Sequence, residues 1–164
     1  MMVDLISQRA HIQPTTIKEL SNRKTGIGFD QLLTVTPPDN PNADFRYTIY
    51  NADGSEAEQC GNGARCFLRF VRDQGLTTKS VIRLQTRTEE ITCQLEKDGN
   101  ITVNMGTPKL EPARIPFIAD RPQILYNLNL PGTKEQITAS VMNVGNPHAI
   151  IIVDDLEIAP VASL

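Results

Sequence analysis

One stretch of this chain, Asn62 to Gln74, carries a helical pattern with enough apolar residues to be buried, and most of what surrounds it reads as strand. Ala64, Phe67, Leu68, Phe70 and Val71 wind around most of that helix, Arg65, Arg69 and Arg72 share what remains, and Gly75 stops it. Such a helix is expected to be largely buried. Upstream of it, Phe45, Tyr47 and Ile49 alternate with Arg46, Thr48 and Tyr50, the period-two pattern of a strand with one buried face.

After the helix the pattern is almost entirely β. Strands are predicted over Val81 to Thr86, Ile91 to Glu96 and Ile101 to Met105, with Asp98-Gly99 as a hairpin turn signal. A proline-containing linker from Pro108 to Pro122 leads to Ile124 to Leu130, Gln136 to Asn143 and Ala149 to Val153. Upstream, Met1 to Ser7 and Phe29 to Thr36 read as strands. Between them Thr16 and Glu19 have capping-box spacing for a short helix that runs to about Arg23 and closes near Gly26. The tail after Asp155 could begin another helix. Strands in runs, rather than alternating with long helices, give an α+β fold: a mostly antiparallel, curved sheet wrapped around a central helix. At 164 residues a single compact unit is expected, or two small ones.

Composition removes several classes of function. A formal charge of −3 with no Lys/Arg run provides no field for nucleic acid. No apolar stretch is long enough to span a bilayer, and the amino terminus lacks a signal-type pattern, so the expectation is a cytoplasmic protein without a membrane partner. Three cysteines, at 60, 66 and 93, with no Cys-x-x-Cys spacing, argue against a disulfide framework and against a structural zinc site.

Chemistry concentrates in Asn51-Ala-Asp-Gly-Ser-Glu-Ala-Glu-Gln-Cys60-Gly-Asn-Gly-Ala-Arg65, between the alternating strand and the apolar helix. Gly61 and Gly63 let the backbone approach a ligand closely, and the helix start offers unpaired N–H groups to a carboxylate. The same positive end favours a thiolate at Cys60 and makes it a usable proton acceptor. Cysteine is more often a small buried hydrophobe, and that reading holds for Cys66, within the apolar helix, and for Cys93, in phase with Ile91 and Leu95. Cys60 is flanked instead by Gln59, Gly61 and Asn62. Gly61-x-Gly63 lacks the remaining residues of a dinucleotide or phosphate-loop fingerprint.

Asn-Ala-Asp-Gly-Ser followed by Gln-Cys-Gly-Asn-Gly-Ala-Arg resembles the active-site signature of diaminopimelate epimerases, and Gly28-Phe29-Asp30-Gln31 and Gly145-Asn146-Pro147-His148 are similar to two further segments of that family. The resemblance implies one half of a two-lobed fold, with residues 1–164 as the N-terminal lobe and the last residues leading into a second lobe. It implies Cys60 as one of two acid/base thiols, with Gly61 and Asn62 at the substrate's α-carboxylate and amino end. Gln31, Asn51 and Asn146 match substrate-contacting amides, and His148 matches a histidine that tunes the thiols.

The activity implied is interconversion of LL- and meso-2,6-diaminopimelate in lysine and peptidoglycan precursor biosynthesis, by a homodimer using neither pyridoxal phosphate nor a metal. Inverting an α-carbon requires two groups on opposite faces to exchange acid and base roles, and the opposing thiol of the family has no counterpart here. The expectation is therefore a fragment, inactive alone, with an apolar inter-half surface that drives dimerisation or aggregation. Three other readings stay open: a thiol hydrolase pairing Cys60 with His148, a non-catalytic binding or dimerisation half-domain, and an isomerase like the proline racemases.

Overall fold

The computed structural model describes residues 1–130 and 135–159. The chain divides into two compact units, Met1–Gly106 and Thr107–Leu164.

The first unit is a mixed sheet with a helix against each face. Its elements are β1 (Met2–Asp4), α1 (Pro14–Ser21), β2 (Gln31–Thr36), β3 (Phe45–Asn51), β4 (Glu56–Ala57), α2 (Gly61–Asp73), β5 (Val81–Gln85), β6 (Glu90–Leu95) and β7 (Ile101–Asn104). The sheet order is β1-β2-β3-β5-β6-β7, with β4 also on β3. Pairing is antiparallel at β2–β3, β3–β4, β5–β6 and β6–β7, and parallel at β1–β2 and β3–β5.

The alternation in β3 is realised: Phe45, Tyr47 and Ile49 are buried, and the residues between them are only partly covered. Their face continues through Leu33, Val35, Ile82, Leu84, Ile91 and Cys93, and α2 lies across it with Ala64, Phe67, Leu68 and Val71 fully buried. Phe67 anchors the contact edge-on, its ring centroid 5.9 Å from that of Phe45 and 5.2 Å from that of Tyr47.

Only one stripe of α2 is covered, so the expectation of a largely buried helix is corrected. Asn62, Cys66, Arg69 and Asp73 recur at i, i+4, i+7 and i+11 on the opposite stripe and are exposed. Cys66 is therefore an exposed thiol, while Cys93 is buried as its phase indicates. The helix closes where Gly75 dictates. With φ +70, Gly75 donates its N–H to Arg72 O at 3.0 Å and Leu76 donates to Val71 O at 2.9 Å, a Schellman closure.

On the other face, Ile17 of α1 packs with Phe29 and Leu32. The capping box at Thr16 is not used. Pro14, with its fixed φ and missing N–H, opens the helix three residues earlier than a Thr16 cap would, after Gln13, so Thr16 lies inside the first turn. The helix also ends before Arg23, at Ser21, where Asn22 leaves helical geometry and its Oδ1 accepts from the Lys24 and Thr25 amides at 2.8 and 3.2 Å. Asp98-Gly99 closes the β6–β7 hairpin as read, Gly99 taking φ +86 and donating to Glu96 O at 3.1 Å.

The second unit is a three-stranded antiparallel meander of β8 (Tyr126–Asn129), β9 (Gln136–Asn143) and β10 (Pro147–Ile150). Its small core is Ile115, Tyr126 and Val141, backed by Phe117, whose ring stands 4.8 Å from Tyr126. The Pro108–Pro122 linker is ordered locally by a 3-10 turn at Pro112–Arg114 and by a backbone bridge from Lys109 to Asn143. The last strand starts earlier than its apolar run, at Pro147, because the turn after Asn143 places Pro147 opposite Asn143 and a first strand residue needs no N–H. Beyond Asp155 the described residues make a turn, not a helix.

Candidate active site

Cys60 is the N-cap of α2, with extended geometry at φ −146 and ψ 103. Its Sγ accepts the Gly63 N–H at 3.3 Å and its carbonyl accepts the Ala64 N–H at 3.0 Å. The N–H groups of Gly61 and Asn62 have no acceptor among the described residues, so two donors at the positive end of the helix stand beside a half-buried sulfur. That combination accommodates a carboxylate next to a thiol.

The position of this turn is set by the core beneath it. Tyr47 Oη donates to the Cys60 carbonyl at 3.1 Å. Burial, reinforced by the nearby cysteines, pushes the Tyr47 phenol far above its ordinary value of 10.0, so it remains a neutral donor. Gly63 is required by the same contact: a Cβ there would fall 2.2 Å from Tyr47 Oη. Its close approach is thus to the protein's own core. Gly61 lies under Met105, whose Sδ would be 3.0 Å from a Cβ at that position. Gln59 is buried and directs Nε2 at the same sulfur, 3.8 Å away, leaving Oε1 without a partner among the described residues.

Gln31 and Asn51 are directly opposed on β2 and β3, and Gln31 Nε2 donates to Asn51 Oδ1 at 3.3 Å. In phase with Leu33 and Ile49, they project from the sheet face that carries α2. Leu33 underlies Gly63, and Gln31 is two residues further along, roughly 7 Å. The first unit therefore gathers Gln31, Asn51, Cys60, Gly61 and Asn62 on one side of its sheet.

Asn146 and His148 belong to the second unit. They sit at the β9–β10 turn, where Gly145 adopts φ +101 and donates to Asn143 Oδ1 at 2.8 Å, and both side chains are exposed. His148 Nδ1 is 2.9 Å from the Asn146 carbonyl, an acceptor that fixes the proton on Nδ1 and leaves Nε2 as the outward nitrogen.

The sequence profile of the diaminopimelate epimerase family matches residues 1–111. The chain belongs to that family. Diaminopimelate epimerases of Ectopseudomonas mendocina (strain ymp) and Pseudomonas entomophila (strain L48) are 51% and 54% identical to it over 164 residues, covering 100% of this chain and 59% of their own length. The chain thus spans about 59% of the length of the curated relatives it matches. Among solved structures, a hydroxyproline epimerase from Agrobacterium vitis with bound trans-4-OH-L-proline aligns with TM-score 0.64 at 13% identity, over 87% of this chain and 41% of that one. A probable proline racemase from Agrobacterium radiobacter K84 aligns with TM-score 0.62 at 15% identity over the same shares. These two likenesses show the fold, an α+β architecture common to the epimerases and this family member.

The family's motif residues were visible in the sequence; the residues that hold them were not. Tyr47 read only as one buried position in an alternating strand, and its contact with Cys60 depends on how far α2 slides along the sheet. Met105 gave no signal beyond its apolar type, and Gln59 read only as a polar neighbour of Cys60 within the motif. Among the described residues no group of three His, Cys, Asp or Glu is placed to hold a metal ion, and no helix is long and apolar enough to cross a membrane.

Proposed function

We propose that this chain carries one acid/base half of a cofactor-independent diaminopimelate epimerase, with Cys60 as the base on one face of the substrate. The observation that supports it is the Cys60 N-cap, where a thiol sulfur held by the Gly63 N–H adjoins the open N–H groups of Gly61 and Asn62. In this reading the α-carboxylate lies against those amides, and the α-proton passes to the Cys60 thiolate as the Cα–H bond breaks. The charge spreading onto the carboxylate meets fixed dipoles that carry no competing proton. A second thiol on the opposite face returns a proton to Cα, completing inversion.

That second thiol is not Cys93, which is fully buried, nor Cys66, on the outward stripe of α2. Residues 1–164 are then the N-terminal part of a two-lobed protein, and the opposing thiol belongs to the portion of the family's length that this chain does not span. Gln31 and Asn51 hold the far end of the substrate, and the family resemblance adds Asn146 as a substrate-contacting amide and His148 as the residue that tunes the thiols. The working protein is a cytoplasmic homodimer acting on LL- and meso-diaminopimelate.

The test is deuterium incorporation at Cα of diaminopimelate in heavy water, catalysed by the full-length enzyme. Cys60→Ala is expected to abolish exchange and inversion, and Cys93→Ala to leave them largely intact. Comparable activity in the two variants would refute the assignment. The 164-residue chain by itself is expected not to invert the α-centre.

A further inference from the structure

Beyond the Cys60 turn, four side chains of the first unit form a hydrogen-bonded series with a single direction. Gln31 Nε2 donates to Asn51 Oδ1 at 3.3 Å, and Asn51 Nδ2 donates to Ser55 Oγ at 3.1 Å. Ser55 Oγ donates to Asp53 Oδ1 at 2.6 Å, and the same carboxylate oxygen accepts the Ser55 N–H at 2.9 Å. The direction follows from the last member. An ionised carboxylate only accepts, so the one hydroxyl proton of Ser55 is committed to Asp53 and its oxygen faces Asn51 as an acceptor. Of the two ends of the Asn51 amide, only NH₂ can meet it, which turns the carbonyl toward Gln31. Gln31 must then present its own NH₂ to Asn51, leaving Oε1 as the open end of the series. The pair is thereby set to offer a carbonyl oxygen.

The Asp53 turn is held in place independently of this series. Ser21 Oγ of α1 lies 2.9 Å from both the Ala52 and the Lys18 carbonyls, which share its one proton, and Asn51 O accepts the Gly54 N–H at 2.9 Å. Gly54, at φ +87, packs so closely on α1 that a Cβ would lie 2.6 Å from Pro14 O. The Ser55 side-chain and backbone hydrogen bonds hold the Asp53 carboxyl below its ordinary value, which keeps it a pure acceptor near neutral pH.

We propose that Asp53 and Ser55 are positioning residues that fix the polarity of the Gln31–Asn51 amide pair, so that Gln31 Oε1 meets the ammonium group at the non-reacting end of a diamino diacid. This rests on the function proposed above and extends it from residues that touch the substrate to residues that orient them. The two act through other side chains and need no contact with the ligand.

The experiment uses the full-length enzyme with Ser55→Ala, Asp53→Asn and Ser55→Thr, assayed on diaminopimelate and on 2-aminopimelate, which lacks the distal amine. Losing one directed hydrogen bond is expected to raise KM for diaminopimelate about five- to tenfold in Ser55→Ala and Asp53→Asn, with kcat within about twofold. Discrimination against 2-aminopimelate should fall by the same factor, and Ser55→Thr, which keeps the hydroxyl, should restore both. In the 164-residue chain, Ser55→Ala should also move the side-chain amide resonances of Asn51 and Gln31 together.

In an active enzyme, unchanged KM and discrimination in both variants would overturn the inference. So would a Ser55→Thr variant indistinguishable from Ser55→Ala, or a loss of thermal stability with discrimination intact. A wild-type enzyme that does not turn over diaminopimelate would instead overturn the proposed function, and with it the ammonium partner assigned to Gln31.

Discussion

Tyr47 Oη and the carbonyl oxygen of Cys60 are 3.1 Å apart, and that hydrogen bond ties the peptide of the candidate base to the buried face of β3. Gly63 is the third party to it, since any side chain at that position displaces the phenol. Gly63→Ala is therefore expected to destabilise the chain by about 1–3 kcal/mol, the usual cost of overpacking. Tyr47→Phe removes the clashing oxygen along with its hydrogen bond, so the double variant should melt at a higher temperature than the sum of the single effects predicts. Strict additivity in thermal denaturation would show that the two residues do not meet.

Gly75 poses a different test. A Cβ there meets nothing within 4 Å, yet its φ of +70 lies where L residues are strained. Gly75→Ala is expected to cost about 1 kcal/mol by backbone strain alone. The decrease should appear equally in the Tyr47→Phe background, because no packing contact is shared.

Two of the three thiols should separate under alkylation. Cys93 is fully buried, and burial pushes its thiol up to about 12. With iodoacetamide near pH 8, mass spectrometry of the native chain should find Cys66 modified and Cys93 protected until denaturant is added. Equal labelling of Cys66 and Cys93 in the native chain would contradict the orientation of α2.

Asp44 links stability to pH. Burial tends to raise its carboxyl, but hydrogen bonds from Lys79 Nζ and the Arg83 N–H, with the charges of those two residues, outweigh burial and hold it below the ordinary 3.8. The folded state therefore binds this proton less readily than the unfolded chain does. The stabilisation is present above the unfolded value and disappears as pH falls through the folded one. Lys79 is largely exposed, so the pair contributes about 1 kcal/mol or less. Asp44→Asn should lower the melting temperature slightly near neutral pH, and the gap to wild type should close below about pH 4.

The elements legible in the sequence were those whose signal is local. The β3 alternation, the Gly75 stop and the Asp98-Gly99 turn depend on neighbours a few residues away. Register and facing were not legible, because they are decided by distant partners. Nothing within Phe45 to Asn51 announces that Phe45 will lie parallel to Leu84 of β5. The face presented by Cys66 follows from which stripe of α2 meets the sheet, and several stripes were apolar enough to compete. Pro14 overrode Thr16 because a fixed φ at the first helical position outcompetes a hydroxyl cap further along. At the candidate site Cys60 stood out by its type and neighbours, whereas Ser55 and Asp53 were only members of the quoted motif, because the direction of their hydrogen bonds is set by geometry.

The contact of Gly63 with Tyr47 also separates two pressures on the same motif. In the proposed function Cys60 answers to chemistry, whereas Gly63 answers to folding, since a side chain there collides with Tyr47 beneath the first turn of α2. A descendant of this protein released from selection for activity, yet still required to fold, would shed its thiol first. It would retain the glycine and the phenol, because the fold still requires both.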